Sequence, residues 1–334
     1  MQVEPLEVLG WGRWLSLIAC FAGAAYLDYK YRRIPNDYWM SWAKPAIFIW
    51  ALELLVIEAD WIIWGTAAAA VAFASTALIG RPTIKDILNG NPLDIVVSLW
   101  YVFGFAGVLA GAMTYGSTST PLDLMAGTAE PAAKMWWSAL SVLLQVWIFD
   151  TMWKVRLLHG GADAKALMWV AILLPTWATI APIEQGDSWT RLAVHIPPSF
   201  ALLIWGSLAF LLIPFIMTIY NASKGHITSL ADMRLAWHAT RMPLSEVMDS
   251  HVWLLDHVID KADGTRGIQT RIRAPARTPT DEKLAAQIAE LVEAGSDTGW
   301  VTHKWPLLLA LLPAILPMII WGDPFGFLLA PLIG

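Results

Sequence analysis

Two aspartates stand at junctions between apolar runs and short polar stretches. Asp28 lies in LDYKYRRIPN, at the end of the first apolar run, and Asp163 lies in GGADAKAL at 160–167, between two later runs. Acids near bilayer depth are costly and are more often functional. Two close carboxylates cannot both ionise cheaply, so they share a proton. Such a pair can hydrolyse a peptide, because one carboxylate acts as base toward water while the other acts as acid toward the carbonyl.

The residues next to the acids are candidates for supporting or substrate-facing roles. Gly160 and Gly161 let backbone and substrate approach Asp163 closely, and they permit unusual backbone dihedral angles. Lys165 could tune the acid or meet the substrate. Lys30, two residues after Asp28, is the fourth supporting candidate.

Each acid also has a purely structural explanation. Asp28 could belong to a surface ion-pair cluster with Lys30, Arg32 and Arg33. Asp163 could be the N-cap of the following helix, a role worth about 1 kcal/mol. The sequence alone leaves both explanations open.

Other ionisable groups are weaker candidates. Asp150 is the nearest rival acid, but Lys154 lies four residues further on, so an intrahelical ion pair explains it. The single cysteine, Cys20, can form neither an internal disulfide nor a metal site. Four histidines lack the i, i+4 spacing of a helical metal site: His226, His238, His251 and His257. We expect no metal and no organic cofactor.

The composition is typical of a membrane protein. The 334 residues are 57% hydrophobic and only 15% charged, whereas a soluble domain carries about 25% charged residues. Many of the 21 tryptophans lie near the ends of apolar runs, as in an interfacial belt. The net charge of −5 gives no sign of nucleic-acid binding. Eight spans are predicted, at 11–27, 41–58, 61–80, 94–116, 135–157, 164–181, 199–219 and 305–321.

The distribution of basic residues predicts the orientation. With the N-terminus outside, 19 of the 22 Lys and Arg residues fall on the cytoplasmic side. Four spans separate Asp28 from Asp163, so both acids lie on the cytoplasmic face. The N-terminus has no basic n-region, so the first run is expected to be a permanent anchor rather than a cleaved signal peptide.

The predicted fold is an all-α polytopic membrane protein with a small α/β cytoplasmic domain inserted before the last helix. Residues 1–220 form the transmembrane catalytic domain with about seven helices. Residues 221–303 have a near-soluble composition and form the cytoplasmic domain. Residues 304–334 carry the C-terminal transmembrane helix.

Three segments of the cytoplasmic domain have local signals. SEVMDSHVWLLDHVID predicts an amphipathic helix begun by Ser245, with Glu246 behind it. GTRGIQTRIR predicts a short strand or hairpin. TPTDEKLAAQIAELVEAG predicts a helix at 283–293, with Thr280 as N-cap and Gly295 as the C-terminal stop.

The two acidic motifs together resemble a known family. D-Y-K-Y-R-R-I-P-N at 28–36 and G-G-A-D-A-K-A-L at 160–167 are similar to motifs of the archaeal preflagellin and prepilin peptidases. These are GxGD-type membrane aspartyl proteases, alongside the bacterial type IV prepilin peptidases. The resemblance implies that Asp28 and Asp163 are the catalytic acids. A third similarity is W-V-T at 300–302, followed by Pro306, before the last span.

The chain departs from the family pattern in two respects. Ala162 stands where the strict G-x-G-D pattern has glycine. The interval between the two acids is also longer than in the family, which commonly has about six spans. We attribute this to an added pair of spans within 61–134, and adding a pair preserves the side on which Asp163 lies.

The resemblance implies an aspartic endopeptidase of the cytoplasmic (plasma) membrane. Its substrates would be precursors of archaellum or type IV pilus filaments, each with a short basic leader, a cut site and an apolar helix. The precursor helix would lie in the bilayer while its leader stays on the cytoplasmic side, where leader Lys or Arg residues could meet acids of 221–303. The resemblance implies no cofactor and no nucleic acid.

Two other functions remain as alternatives. An intramembrane protease like presenilin or signal peptide peptidase shares the GxGD acid but has a P-A-L motif near its C-terminus. Here the nearest string is Ala330-Pro331-Leu332, in a different order. A transporter could use membrane carboxylates as ion sites, although no internal repeat or matching broken helices are visible.

Overall fold

The chain folds into two compact units in a computed structural model. One unit comprises Met1–Ser207 with Leu307–Gly334, and the other comprises Leu208–Pro306. The structure describes residues 5–81, 83, 85, 88–125, 128–158, 160–177, 196–261, 265–275 and 279–325.

Helices make up most of the described chain. Between helices α9 and α13, five short strands interrupt the helical pattern. In chain order the helices are α1 Pro5–Tyr31, α2 Asn36–Val56, α3 Trp61–Ile79, α4 Pro92–Thr114, α5 Pro121–Met125, α6 Pro131–Lys154, α7 Gly161–Leu173, α8 Pro198–Leu211, α9 Ile213–Ser223, α10 Leu230–Ala236, α11 Leu244–Val247, α12 Asp281–Glu293 and α13 Leu307–Trp321. The strands are β1 Thr240–Pro243, β2 Val252–Leu254, β3 Asp256–Asp260, β4 Arg266–Thr270 and β5 Thr298–His303.

Within the described ranges, six helical segments are long and apolar enough to cross a membrane. They are Pro5–Tyr31, Asn36–Val56, Trp61–Ile79, Asp94–Thr114, Pro131–Lys154 and Pro198–Ser223. The predicted membrane character is confirmed, and each of these segments overlaps a predicted span.

The other two predicted spans correspond to shorter helices. The span at 305–321 corresponds to the apolar helix α13, which has 15 residues. The span at 164–181 begins in α7, which has 13 residues, and its last part, 178–181, lies outside the described residues.

Small residues allow α3 and α4 to pack with their backbones almost in contact. A Cβ atom added to Gly107 would lie 2.6 Å from the Cα atom of Gly65, and one added to Gly104 would lie 2.7 Å from Ala69. Gly111, one turn after Gly107, leaves space for the Trp136 indole of α6. Small residues at such intervals typically drive helix association in membranes. This packing builds the segment 61–134 into the helical bundle.

A buried ion pair links α1 and α2. The Arg13 Nη2 atom donates to Glu53 Oε2 at 2.5 Å, and the two residues are only 1% and 6% exposed. A charge left alone in such surroundings is strongly destabilising, whereas an apolar pair of similar volume is often tolerated. The pair therefore fixes how these two helices can pack.

The other unit contains a small antiparallel sheet of order β1-β5-β2 and a separate β3–β4 ribbon. In the register, Leu254 pairs with Val301 and Val258 pairs with Ile268. Its apolar core includes Leu254, Val301 and Leu291 of α12. The Asp256 carboxylate accepts hydrogen bonds from the Trp300 N–H at 2.8 Å and from the Thr270 hydroxyl at 2.5 Å.

Two of the three local predictions in this unit are confirmed. Helix α12 begins after Thr280, whose side chain accepts a hydrogen bond from the Lys283 N–H, and Gly295 follows it with φ of +83°. The strand predicted in GTRGIQTRIR is β4. In both cases the signal lies within the segment itself, in the cap residues or the strand pattern.

The predicted amphipathic helix in SEVMDSHVWLLDHVID is wrong. The segment contains only the short helix α11, followed by strands β2 and β3. The apolar positions suit a helix, but Leu254 instead pairs with Val301, which is 47 residues later in the chain. Pairing with a distant strand decides the structure here and overrides the local pattern.

Two histidines of this unit make structural contacts. The His226 Nδ1 atom lies 3.0 Å from Asn221 Oδ1, and His238 Nε2 lies 2.8 Å from the Ile272 carbonyl oxygen. Within the described ranges, no group of three or more His, Cys, Asp or Glu side chains could hold a metal ion.

The Arg13–Glu53 pair gives a test of the α1–α2 packing. We expect Glu53→Leu to destabilise the protein by about 3–5 kcal/mol, because it removes the carboxylate that pairs with the buried Arg13 guanidinium. The double variant Arg13→Leu/Glu53→Leu should recover most of that loss. Thermal unfolding in detergent measures both. Equal melting temperatures for Glu53→Leu and the unaltered protein would show that the pair does not constrain the helices.

Candidate active site

Asp28 lies in the last turn of α1, where the helix is about to end. Arg32 adopts φ of +54°, and its backbone N–H donates to the Asp28 carbonyl at 3.0 Å. A residue with positive φ cannot continue a right-handed helix, so α1 ends here; this conformation costs a non-glycine residue roughly 1–2 kcal/mol. Pro35 then precedes α2. This tight reversal places the half-buried Asp28 beside the α1–α2 connection.

Asp163 is the third residue of α7. The helix begins at Gly161 after Gly160, which occupies the N-cap position without a side-chain cap. The alternative that Asp163 is the N-cap residue is therefore wrong, because the helix starts two residues before it. The carboxylate instead receives a hydrogen bond from the Gly160 backbone N–H. A third-position acid that reaches back in this way still stabilises the helix terminus.

The two glycines provide space for neighbouring side chains. A Cβ atom at Gly160 would overlap the Asp163 carboxylate, with only 2.9 Å to its Cγ atom. A Cβ atom at Gly161 would lie 3.0 Å from the Trp153 indole. Gly160 has φ of −93° and ψ of 122°, and neither glycine has a positive φ. The backbone at Gly160 thus lies close to the Asp163 carboxylate, and neither glycine uses the unusual dihedral angles that it permits; their roles toward a substrate stay predictions.

Helix packing places the two acids at about the same height along the axes of α1 and α7. The Phe21 ring of α1 lies 6.2 Å from the Trp169 ring of α7. Asp28 is seven residues after Phe21, and Asp163 is six residues before Trp169, distances of about 10 Å and 9 Å along a helix. Because α1 and α7 run antiparallel, both steps go in the same direction.

The antiparallel direction follows from the contacts of α2. Lys165 contacts Asn36, and the Trp169 Nε1–H donates to the Trp42 carbonyl at 2.7 Å. The residue numbers of the contacting pairs increase together along both helices, so α2 and α7 run in the same direction. The short connection after α1 reverses the chain, as the 2.5 Å hydrogen bond from the Tyr38 hydroxyl to the Cys20 carbonyl shows. Helix α1 therefore runs opposite to α7.

The electrostatic environment of Asp163 favours its protonated form. Asp163 precedes the predicted span 164–181 and lies outside the six spanning segments. Burial, and to a smaller extent the nearby charge of Asp28, raise the pKa of its carboxyl, while the Gly160 N–H opposes both effects; together they place the pKa at about 7. Desolvation and a like charge both disfavour the ionised carboxylate. The two acids can therefore retain one proton between them near neutral pH.

Lys165 is held by its neighbours on two sides. Its Nζ atom donates to Asn36 Oδ1 at 2.7 Å and lies 5.7 Å from the centre of the Trp153 ring. The Asn36 Nδ2 atom in turn donates to the Leu78 carbonyl at the end of α3, at 3.0 Å. Asn36 thus connects the motif that carries Asp28 to the helix that carries Asp163. Its position at the end of the first motif is the only sequence signal for this role.

The basic residues near Asp28 differ in their surroundings. Lys30 is exposed, and its contacts include a hydrogen bond to the Tyr26 hydroxyl at 3.3 Å and the face of the Tyr31 ring. Arg32 is half-buried. Burial lowers the pKa of its guanidinium, and the charge of Asp28 opposes that effect. The ion-pair explanation of Asp28 therefore has support from Arg32.

The rival acid Asp150 has the predicted partner. Lys154 donates to its carboxylate from one helical turn away, with the lysine half exposed and the acid buried. This pair lies on α6 and does not contribute to the electrostatics of Asp163. The intrahelical explanation of Asp150 is confirmed.

Comparisons with known proteins assign neither a family nor a function to the chain. No model of a protein family matches the chain, and no curated protein matches it. The string Ala330-Pro331-Leu332 lies outside the described residues. The W-V-T similarity at 300–302 falls within the strand β5. The candidate site therefore depends on its own geometry and chemistry.

The shared proton can be tested directly. We expect Asp28→Asn to lower the pKa of Asp163 from about 7, because it removes a neighbouring negative charge. The pKa should remain above the ordinary value for aspartic acid, since the carboxyl is still buried. Infrared absorption of the protonated carboxyl, identified by its loss in Asp163→Asn, follows the titration. Asp150→Asn should leave it unchanged, and an identical titration in Asp28→Asn would show that the two acids are independent.

Proposed function

We propose that this chain is a membrane aspartic endopeptidase that removes the short basic leader from preflagellin-like or prepilin-like precursors. One observation carries the proposal. The half-buried Asp163 carboxyl lies at the level of Asp28, and the charge of Asp28 raises its pKa. A carboxylate pair that holds one proton near neutral pH is the requirement for acid–base hydrolysis of a peptide without a cofactor.

The proposed reaction has two steps, and both acids act in each of them. Ionised Asp28 takes a proton from a water molecule, whose oxygen attacks the scissile carbonyl carbon. Protonated Asp163 donates its proton to the carbonyl oxygen, which gives a neutral tetrahedral diol. Asp28 then transfers its proton to the leaving nitrogen while Asp163 recovers one from the diol. The C–N bond breaks, and the pair returns to its starting charge.

The backbone around Asp163 supports this role. Gly160 leaves the carboxylate uncovered by any side chain at that position. Lys165 and Asn36 hold α7 against α2 and α3, so Asp163 is presented from packed helices. Rigid placement matters because catalytic groups must keep their geometry within a fraction of an ångström.

The topology completes the proposal. We infer eight spans in the plasma membrane, with the N-terminus outside and both acids at the cytoplasmic side. Residues 221–303 then form a cytoplasmic domain, and the segment 61–134 contains the additional pair of spans. A precursor whose apolar helix enters the bilayer would present its cut site at the depth of the two acids. A presenilin-like protease remains the alternative, distinguished by cleavage within the apolar helix.

Replacing either acid tests the reaction. We expect Asp28→Asn and Asp163→Asn each to reduce leader cleavage to background, because either change removes the single shared proton or its acceptor. Asp150→Asn is the matched control, since it also alters a buried acid but should keep near-normal activity. The measurement is the cleavage of a preflagellin or prepilin in membranes. Retained cleavage by either site variant, with normal membrane insertion, refutes the pair.

The pH profile provides a second test. The active state requires Asp163 protonated, so the rate should fall as the pH rises through about 7, the pKa of that carboxyl. The free energy of unfolding should also fall as the pH rises through about 7. A carboxyl whose pKa is raised in the folded state stabilises the fold at low pH, and this contribution is lost as the pH rises. Initial rates between pH 5 and 9 measure the effect. A rate that increases steadily across this range contradicts a protonated Asp163.

Asn36 should position Asp163 through Lys165. We expect Asn36→Ala to slow cleavage about tenfold, since it removes a hydrogen bond to a charged group. Lys165→Met should have a similar effect, and the double variant should lose little more than either single variant. The cleavage rates of the unaltered protein, the two single variants and the double variant form a double-mutant cycle. Fully additive losses would mean that the two residues act separately.

A further inference from the structure

Two apolar pockets adjoin each other between α2, α3, α4 and α7. Their cavity volumes are about 100 and 230 Å³. Three residues line both of them, Ile47 of α2, Val71 of α3 and Trp100 of α4. The two pockets are therefore neighbours along α2, and we call them together the α2–α3 groove.

The groove follows most of the length of α2. Its lining on α2 extends from Trp39 to Leu54, which is about 22 Å along a helix. The hydrocarbon core of a bilayer is about 30 Å thick. The depression exists because small side chains line it, including the half-buried alanines Ala43, Ala51 and Ala74.

One end of the groove lies at the same level along α7 as the candidate active site. Lys165 lines the first pocket together with Met168 and Trp169 of the same helix. Lys165 is two residues after Asp163 and bonds to Asn36, three residues before Trp39. Neither aspartate lines the pockets, so a chain lying in the groove would have one end at the level of the acid pair along α7.

The wall of the groove also contains a buried polar group. Trp39 lines the first pocket and is only 1% exposed. Its indole Nε1–H has no hydrogen-bond partner in the part of the chain that the structure describes. Buried donors normally have partners, and one that lacks them calls for an acceptor. A peptide carbonyl can accept this hydrogen bond, whereas a hydrocarbon chain cannot.

We propose that the α2–α3 groove binds the apolar helix of the precursor, with the end that carries the cut site beside Lys165 and Asp163. This inference rests on the proposed function. The pockets have the volume of individual large side chains rather than of a whole helix. They suit a helix that rests on the groove and inserts side chains spaced by one or two turns, a common mode of helix recognition. The unfolded segment at the cut site supplies free carbonyls for Trp39.

Photo-crosslinking tests the groove independently of catalysis. Benzoylphenylalanine replaces either Ile47, which lines the groove, or the neighbouring Phe48, which is 63% exposed and lines neither pocket. Both variants carry Asp163→Asn, so that any bound precursor remains uncut. We expect the Ile47 variant to capture the precursor through its apolar helix, and the Phe48 variant to capture lipid. Equal capture at both positions, or only lipid at position 47, overturns the proposal.

A kinetic comparison separates binding at the groove from the chemistry. Ala74→Leu fills the groove, while Ala106→Leu adds the same volume at an exposed position on α4 that lines neither pocket. We expect Ala74→Leu to raise KM for a helix-bearing precursor by about five- to tenfold, with kcat little changed. Ala106→Leu should leave KM unchanged. An unchanged KM in Ala74→Leu contradicts the groove, whereas cleavage that survives Asp163→Asn contradicts the acid pair, so the two failures are distinguishable.

Discussion

The structure depends on one electrostatic constraint, the partial burial of the Asp163 carboxyl next to the charge of Asp28. Both burial and the like charge oppose ionisation, and the Gly160 N–H only partly compensates. A site of this kind costs folding free energy at neutral pH, and the packing of the surrounding helices must offset that cost. The contacts of Phe21 with Trp169 and of Lys165 with Asn36 provide that support. Such an arrangement is typical of groups retained for their chemistry.

The same packing connects the acid pair to the rest of the membrane unit. Asn36 joins α7 to the end of α3, and α3 packs closely on α4 through Gly65 and Gly107. The segment 61–134 therefore does more than add length, because α3 and α4 form one side of the α2–α3 groove. The proposed additional spans and the proposed substrate path are in this way parts of one surface.

Local signals in the sequence predicted what lies within single elements. Asp28 falls at the end of α1, and Thr280 caps α12, because helix ends and caps depend on residues close in the chain. The strands at 252–260 could not be predicted in this way, since their pairing partners are distant. The position of Asp163 illustrates the same limit. Counting spans places it on the same side as Asp28, but only helix packing shows that the two acids share a level and that Gly160 makes room for the carboxylate.

The central claim is that Asp28 and Asp163 act on one water molecule. The most direct test is an experimental structure at a resolution that shows ordered solvent. The account predicts a single water within hydrogen-bond distance of one carboxylate oxygen from each residue, with the two oxygens no more than about 6 Å apart. Carboxylates separated by a larger gap in both the free and the precursor-bound protein, with no water contacting both, would contradict it.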